Sequence, residues 1–311
     1  MNIKKKILIA IRPIFYKLVQ FYIRSIPFEF GKVKLIDNLV TRVSWSNNKT
    51  FFANSFFNLK FLCDPKDLID NRIYFFGIWE PNLSRWILNQ LNPGDVFIDI
   101  GAHIGYFSSI ASKLVGKDGK VVAFEASPQT FKRLKETIDL NNLSNIRVEN
   151  IAILETEGTV SLFSAQSFNT GAFTILKKPN QISLATVNAL PLNKSLTNEE
   201  ISRARLIKID VEGAELSVIK SLTPILKYFS KDLEIVVEIS PSRLAEQGFS
   251  VDLLMEIFEG EGFIPYELKN DYSTKSYVSY ISTKNWIYPV KISGPITSQI
   301  DVIFSRKNLT S

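Results

Sequence analysis

The chain has a single cysteine, Cys63, and a single histidine, His103. One thiol cannot close an intramolecular disulfide, so a secreted disulfide scaffold is excluded and a reducing compartment is expected. One histidine and one cysteine also fall short of the usual zinc ligand set. Long uncharged runs are missing: the apolar stretch Ile7–Ile11 is interrupted by Arg12-Pro13, well short of the ~18 residues a spanning helix requires. No small-residue cleavage site follows it, which argues against a signal peptide. Basic charge is missing where a nucleic-acid enzyme would need it. The formal net charge is +6, but Lys4, Lys5, Lys6, Arg12, Lys17, Arg24, Lys32 and Lys34 against Glu29 put +7 in residues 1–35 and leave −1 for residues 36–311. A DNA or RNA partner is therefore disfavoured. Two phosphate-binding patterns are absent as well. Counting from Gly101, a dinucleotide fingerprint needs glycine at 103 and 106, where His103 and Tyr106 stand, and Gly105 is followed by Tyr106-Phe107 instead of the lysine and hydroxyl of a triphosphate loop.

The composition that remains, 311 residues at 45% hydrophobic, suffices for a large buried sheet. Val96–Ile100 is a β-branched run behind Asn92-Pro93-Gly94, and Lys120–Phe124 is another behind Lys117-Asp118-Gly119. Asp99 closes the first, a turn at Gly101–Gly105 leads into a helix, and Glu125 closes the second. In a βαβ unit these strand ends share one rim, where open α/β sheets bind ligands. Glycines at 101 and 105 are expected to let backbone pass close to a ligand, and the Glu125 carboxylate to accept hydrogen bonds from ribose hydroxyls. Aromatic and apolar residues after Gly105 suit a nucleoside without a pyrophosphate. S-adenosylmethionine fits, with its adenosine at Glu125 and its methionine tail at the first turn.

Further words follow in order: Ala123-Phe124-Glu125, Lys208-Ile209-Asp210-Val211-Glu212-Gly213-Ala214-Glu215 and Val237-Glu238. With Val96-Phe97-Ile98-Asp99-Ile100-Gly101-Ala102 they resemble the FkbM family of S-adenosylmethionine-dependent methyltransferases, over roughly Glu80 to Arg306. The resemblance implies a doubly wound, Rossmann-like α/β fold of the class I methyltransferases, a seven-stranded sheet whose last strand is antiparallel. It also implies O-methylation of a hydroxyl on a small molecule or glycan: a sugar, polysaccharide, lipid or secondary metabolite. Candidate cofactor residues are Glu80, Asp99, Gly101, Ala102, His103, Gly105, Tyr106, Glu125, Ala126, Asn150 and Asp210. Candidate catalytic residues are Asp210, Glu212 and Glu238, acids on the strand-end rim or its following turn. Glu215 reads as a helix N-terminal acid. A divalent cation held by Asp210 and Glu238 is disfavoured, because two carboxylates fall short of a ligand shell, and no metal ligand is assigned. The chain departs from the family pattern at His103 (usually asparagine), at Ala126 (usually proline) and at Leu190-Pro191-Leu192 (usually a Leu-Asp pair). His103 is accordingly expected to bond the cofactor's amino-acid end and not to abstract a proton.

Helices are predicted at Pro81–Gln90, Tyr106–Leu114, Pro128–Asn141, Gly213–Phe229 and Val251–Glu261. Strands are predicted at Val96–Ile100, Lys120–Phe124, Ile146–Asn150, Arg205–Asp210, Glu234–Ser240, Phe263–Leu268 and Ile300–Ser305. Residues 77–311 form the expected methyltransferase domain, with an insertion at 155–204 that contains Asn169-Thr170-Gly171. Residues 1–76 form a basic amphipathic helix, opening at Pro13 and ending by Pro27, and a cap of short strands and turns. That helix has two readings: packed against the protein or a second copy, which is preferred, or laid on an anionic membrane through residues 1–27. The location expected is cytoplasmic, with peripheral attachment to the inner face of the membrane as the variant. Against the methyltransferase stand a catalytically silent binding module in a membrane assembly system and a nicotinamide oxidoreductase, the latter weakened by the glycine spacing.

Overall fold

A computed structural model describes residues 3–42, 50–64, 67–164 and 173–309, and the side chains of 3–13 and 40–42 fall outside that description. Asn169-Thr170-Gly171 lies outside the described residues. Backbone proximity divides the chain into residues 1–81 with 271–286 and residues 82–270 with 287–311.

The first unit contains helices Ile3–Ser25, Lys32–Arg42, Leu68–Phe76 and Thr274–Thr283, with the antiparallel hairpin β1 (Phe51–Asn54) and β2 (Lys60–Cys63). The N-terminal helix begins ten residues before Pro13, which therefore sits in its interior and does not open it. The isoleucine, leucine and lysine residues that precede Pro13 are adequate helix formers. Helix content also exceeds the expected strands and turns of 28–76. The Asp67 side chain accepts from the amides of Ile69 and Asp70, Gly77 ends the helix in the left-handed region, and together they bound an apolar run that reads ambiguously by composition. Helix Thr274–Thr283 is capped by Ser273 and buries Tyr277 beside Phe76, ring centroids 5.2 Å apart.

The second unit is built on β3 (Val96–Ile100), β4 (Lys120–Phe124), β5 (Ile146–Glu149), β10 (Ala204–Ile209), β11 (Glu234–Ile239), β12 (Ile264–Leu268), β13 (Val290–Lys291) and β14 (Ile300–Ser305). Their order is β13-β12-β14-β11-β10-β3-β4-β5. Strands β5, β4, β3, β10 and β11 run parallel, and β14 pairs antiparallel with β11 and β12. The sheet is doubly wound and Rossmann-like as expected. It has eight strands, not seven, because the two-residue edge strand β13 pairs with Tyr266 and Glu267 of β12. Every residue of β3 is buried, the near-continuous apolar pattern of a parallel strand covered on both faces. The order reverses between β3 and β10, so a ligand crevice is expected outside their carboxyl ends.

Strands β7 (Gly158–Ser164), β8 (Phe173–Thr174) and β9 (Ala185–Leu190) of the insertion form a small sheet with β6 (Ala152–Ile153), which precedes it, in the order β6-β9-β7-β8. The helix expected over Gly213–Phe229 is α-helical only at Glu215–Leu222 and continues as a 3₁₀ helix over Thr223–Tyr228. Pro224 supplies no amide to an α-helical ladder, and the tighter helix tolerates that.

Candidate active site

The first turn is shaped by chain packing. Gly101 has φ +86°, and a Cβ there would lie 1.8 Å from the backbone oxygen of Asp210. Only glycine lets the end of β3 pass so close to the end of β10. Gly105, at φ +81°, starts helix Tyr106–Val115, and a Cβ there would meet Leu134 Cδ1 at 2.5 Å. Gly101 thus admits the neighbouring strand end, and Gly105 the Leu134 side chain. The Gly101 and Ala102 amides both donate to Phe124 O at 2.9 Å, tying the turn to β4.

Glu125 follows β4, and its carboxylate is fixed from both sides. His103 N donates to Oε2 at 2.8 Å and Ser127 N to Oε1 at 2.9 Å. Burial, opposed by those two amides and aided by Asp99 and Asp210, pushes its pKa up to about 7. Each oxygen retains acceptor capacity for a further donor. Asn150 Nδ2 donates to the carbonyls of Glu125 and Ala126 at 2.8 and 2.9 Å, so it braces this loop from beneath. Asp99 is buried and accepts from Ser108 Oγ at 2.5 Å through Oδ2, while its Oδ1 has no hydrogen-bond partner among the described residues. Burial raises its pKa, opposed chiefly by Lys208, its register neighbour on β10.

The catalytic candidates converge. Asp210, Glu212 and Glu238 can each bring one carboxylate oxygen within 4.8 Å of the others. Their charges are separated by their surroundings. Lys208 Nζ lies 2.9 Å from Asp210 Oδ2, and although burial opposes ionisation, Lys208 and then Arg243 hold Asp210 below its usual range. Glu212 is pushed up to about 7 by burial and by Asp210, with Arg243 opposing. Glu238 is raised well above the carboxylate range by burial and then by Asp210 and Glu212. Arg243 bridges the pair: it reaches Glu212, and its Nη1 lies 3.1 Å from Glu238 Oε2. Gln299 donates to Glu238 Oε1 at 2.6 Å. Asp301 of β14, in register with Glu238 of β11, accepts from Asn270 and is pushed up to about 6 by burial.

Asp99, Gly101, Ala102, His103, Gly105, Glu125, Ala126, Asn150 and Asp210 thus share the strand-end rim with Glu212 and Glu238. Tyr106 is buried, with its hydroxyl 3.2 Å from Ser84 Oγ. Glu80 belongs to the first unit, where its Oε1 accepts from the Tyr272 hydroxyl at 2.9 Å. Glu215 accepts from the Gly213 amide at 2.9 Å and braces the turn after Asp210. Sequence reasoning passed over Lys208, Arg243, Gln299 and Asp301. Lys208 was legible, since a residue two before Asp210 in a strand shares its face.

A family model described as the methyltransferase FkbM domain matches residues 99–265. The chain belongs to this family. Among curated relatives of this FkbM-domain protein, the hexuronic acid methyltransferase AglP of Haloferax volcanii is 26% identical over 148 residues, covering 48% of this chain and 58% of that protein. Methyltransferase 1 of Beauveria bassiana is 26% identical over 188 residues, covering 51% of this chain and 74% of that protein. The chain thus spans little more than half the length of AglP. The crystal structure of methyltransferase FkbM from Methylobacillus flagellatus is similar with a TM-score of 0.38 at 15% identity, covering 76% of this chain and 52% of that one. A SAM-dependent methyltransferase from Aquifex aeolicus is similar with a TM-score of 0.39 at 14% identity, covering 75% of this chain and 92% of that one.

Proposed function

We propose that this FkbM-domain protein is an S-adenosylmethionine-dependent O-methyltransferase acting on a hydroxyl of a small molecule or glycan. The observation that carries the reading is the Glu125 carboxylate, buried at a strand end and held in place by the amides of His103 and Ser127. An acceptor-only group so fixed, with lone pairs to spare, matches the two hydroxyl donors of a ribose. The cofactor fits this donor set: Glu125 holds the ribose, and the Asp99, Gly101–Gly105 and Asp210 rim holds the amino-acid end. Within the expected 77–311 domain, this assigns the chemistry to the unit of residues 82–270 and 287–311.

S-adenosylmethionine, when bound, supplies a methyl group already activated on a sulfonium. The protein's part is then to align a hydroxyl and remove its proton. Asp210, kept ionised by Lys208, accepts the hydrogen bond of the hydroxyl and fixes its direction, and the proton it takes passes on to Glu212, whose carboxylate comes within 4.8 Å. Glu212, with a pKa near 7, receives the proton, since a base works best when its pKa lies close to the working pH. Arg243 neutralises Glu212 and Glu238 from within the protein, which supports chemistry without a divalent cation. Carboxylates on this rim outnumber Lys208 and Arg243, an arrangement suited to a hydroxyl-bearing acceptor and not to a nucleic-acid phosphate backbone. The name of AglP, a hexuronic acid methyltransferase, supports a sugar as the acceptor class.

Methyl transfer from isotopically labelled S-adenosylmethionine to glycan and lipid extracts, read by mass spectrometry, tests this. Labelled methyl ether on a hydroxyl-bearing product is the expected result. Cofactor binding with no transfer to any extract would favour the catalytically silent module.

A further inference from the structure

The N-terminal helix has two apolar faces, and the protein uses one. Tyr16, Val19 and Ile23 are buried within the first unit, at 3%, 4% and 0% exposure. Gln20 donates to Tyr74 O at 2.8 Å, and the Arg24 guanidinium donates to the carbonyls of Ile73, Tyr74 and Phe75. This face fixes the helix to helix Leu68–Phe76. The packed reading therefore describes one side of it. Ile14, Leu18 and Phe21, spaced four and three residues apart, form a second stripe that is 62%, 62% and 61% exposed. Past the end of the helix, Phe28 and Phe30 are 73% and 89% exposed. An exposed stripe of large apolar residues on a helix held rigid from its other side signals a covered surface.

Charge identifies what covers it. Arg24 and Lys32 spend their charge on backbone carbonyls, Lys32 on those of Ile23 and Ile26. Lys17 and Lys34, on the same two helices, are exposed, and the sequence adds Lys4, Lys5, Lys6 and Arg12 to the first of them. A second copy of this chain would bring the same cations into apposition, a repulsive arrangement for a two-fold interface. An anionic lipid surface complements them. No helix among the described residues is long and apolar enough to cross a membrane. We infer that Ile14, Leu18, Phe21, Phe28 and Phe30 insert into the interface of an anionic phospholipid bilayer, with Lys17, Lys34 and the basic residues that precede Pro13 against its headgroups. Apolar burial and electrostatic attraction then act together, as in interfacial helices.

The test is co-sedimentation of the full chain with vesicles of phosphatidylcholine alone, or of phosphatidylcholine with phosphatidylserine at roughly two to one, at low and high salt. The wild type is expected to pellet with the anionic vesicles at low salt, and its partition to fall about tenfold or more on neutral vesicles or at high salt. Combined Ile14→Ser, Leu18→Ser and Phe21→Ser changes alter only exposed side chains. They are expected to leave the melting temperature within a few degrees and to cut partition on anionic vesicles by about tenfold or more. Wild type that stays in the supernatant with anionic vesicles at low salt overturns the inference, as does a folded triple variant that partitions equally well. Light scattering that shows a dimer which the triple variant dissolves assigns the stripe to a second copy and overturns it too. Binding is read without cofactor or turnover, so its failure leaves the methyltransferase assignment standing.

Discussion

Replacing Gly101 by alanine tests how the site is assembled. The new Cβ would lie 1.8 Å from the Asp210 carbonyl oxygen, 2.8 Å from its carbonyl carbon and 3.3 Å from Val211 Cγ1. The first two are backbone atoms of β10's end, so relief requires the strand ends to separate. A non-glycine residue at φ +86° adds its own strain, about 1–2 kcal/mol, and forced displacement of packed backbone costs about 1–3 kcal/mol more. The sum is roughly 2–5 kcal/mol, a large part of the stability of an ordinary domain. Gly105→Ala is the control. It has a similar φ, but its clash is with the terminal methyl of Leu134, which can rotate away, so only the strain of about 1–2 kcal/mol is expected. Urea unfolding of both variants should rank Gly101→Ala clearly below Gly105→Ala. Titration with S-adenosylhomocysteine should show the larger affinity loss in the same variant, because Asp210 moves. Equal stabilities would refute the claim that Gly101 is required by the β3–β10 approach.

Asp210→Asn should keep the fold and most cofactor affinity while lowering turnover by about 10², the share of a positioned acid or base; near-normal kcat in the folded variant would remove Asp210 from the reaction centre. Arg243→Gln leaves Glu212 and Glu238 without their shared cation, so the ascending limb of the pH–rate profile, expected near pH 7 from Glu212, should move to higher pH, and an unmoved limb would contradict the assignment of Glu212 as base. Prolonged EDTA treatment should leave turnover unchanged, because Arg243 supplies the positive charge between these carboxylates. Stability should depend on pH with a definite sign. Glu125 and Glu212 are both raised from 4.5 to about 7 in the folded protein, so the folded state holds protons that the unfolded state releases. Their contribution is complete below about pH 4.5 and is lost as pH rises toward 7, and the ligand-free melting temperature should fall across that window.

Strands β3 and β4 were legible because each is a short β-branched run behind an Asn-Pro-Gly or Asp-Gly signal. Residues 28–76 were not, because closely spaced phenylalanines fit a strand or a helix equally well. The Asp67 cap and Gly77 stop that decide the matter are short signals within that run. In the site, the acids at strand ends followed from topology alone. Their protonation did not: Asp210 is held low by Lys208 and Arg243, and Glu238 is raised by burial and then by Asp210, Glu212 and Asp301, the last arriving from β14. Only the antiparallel register of β14 against β11 places Asp301 opposite Glu238. At Gly101 the structure shows close approach of chain to chain, which leaves the same mark in a sequence as close approach to a ligand.

Calorimetric titration of S-adenosylhomocysteine into wild type and Glu125→Ala, at pH 6 and pH 8, bears most directly on the proposal that the β3–β4–β10 rim binds this cofactor. Wild type should bind more tightly at pH 8, with affinity falling by up to roughly tenfold per unit below about pH 7 as Glu125 takes up a proton. The folded variant should lose a few kcal/mol of affinity at pH 8, as expected for charge-assisted hydrogen bonds removed from a buried site, along with the pH dependence. Absence of binding by the wild type, or equal affinity in the variant, would contradict the assignment.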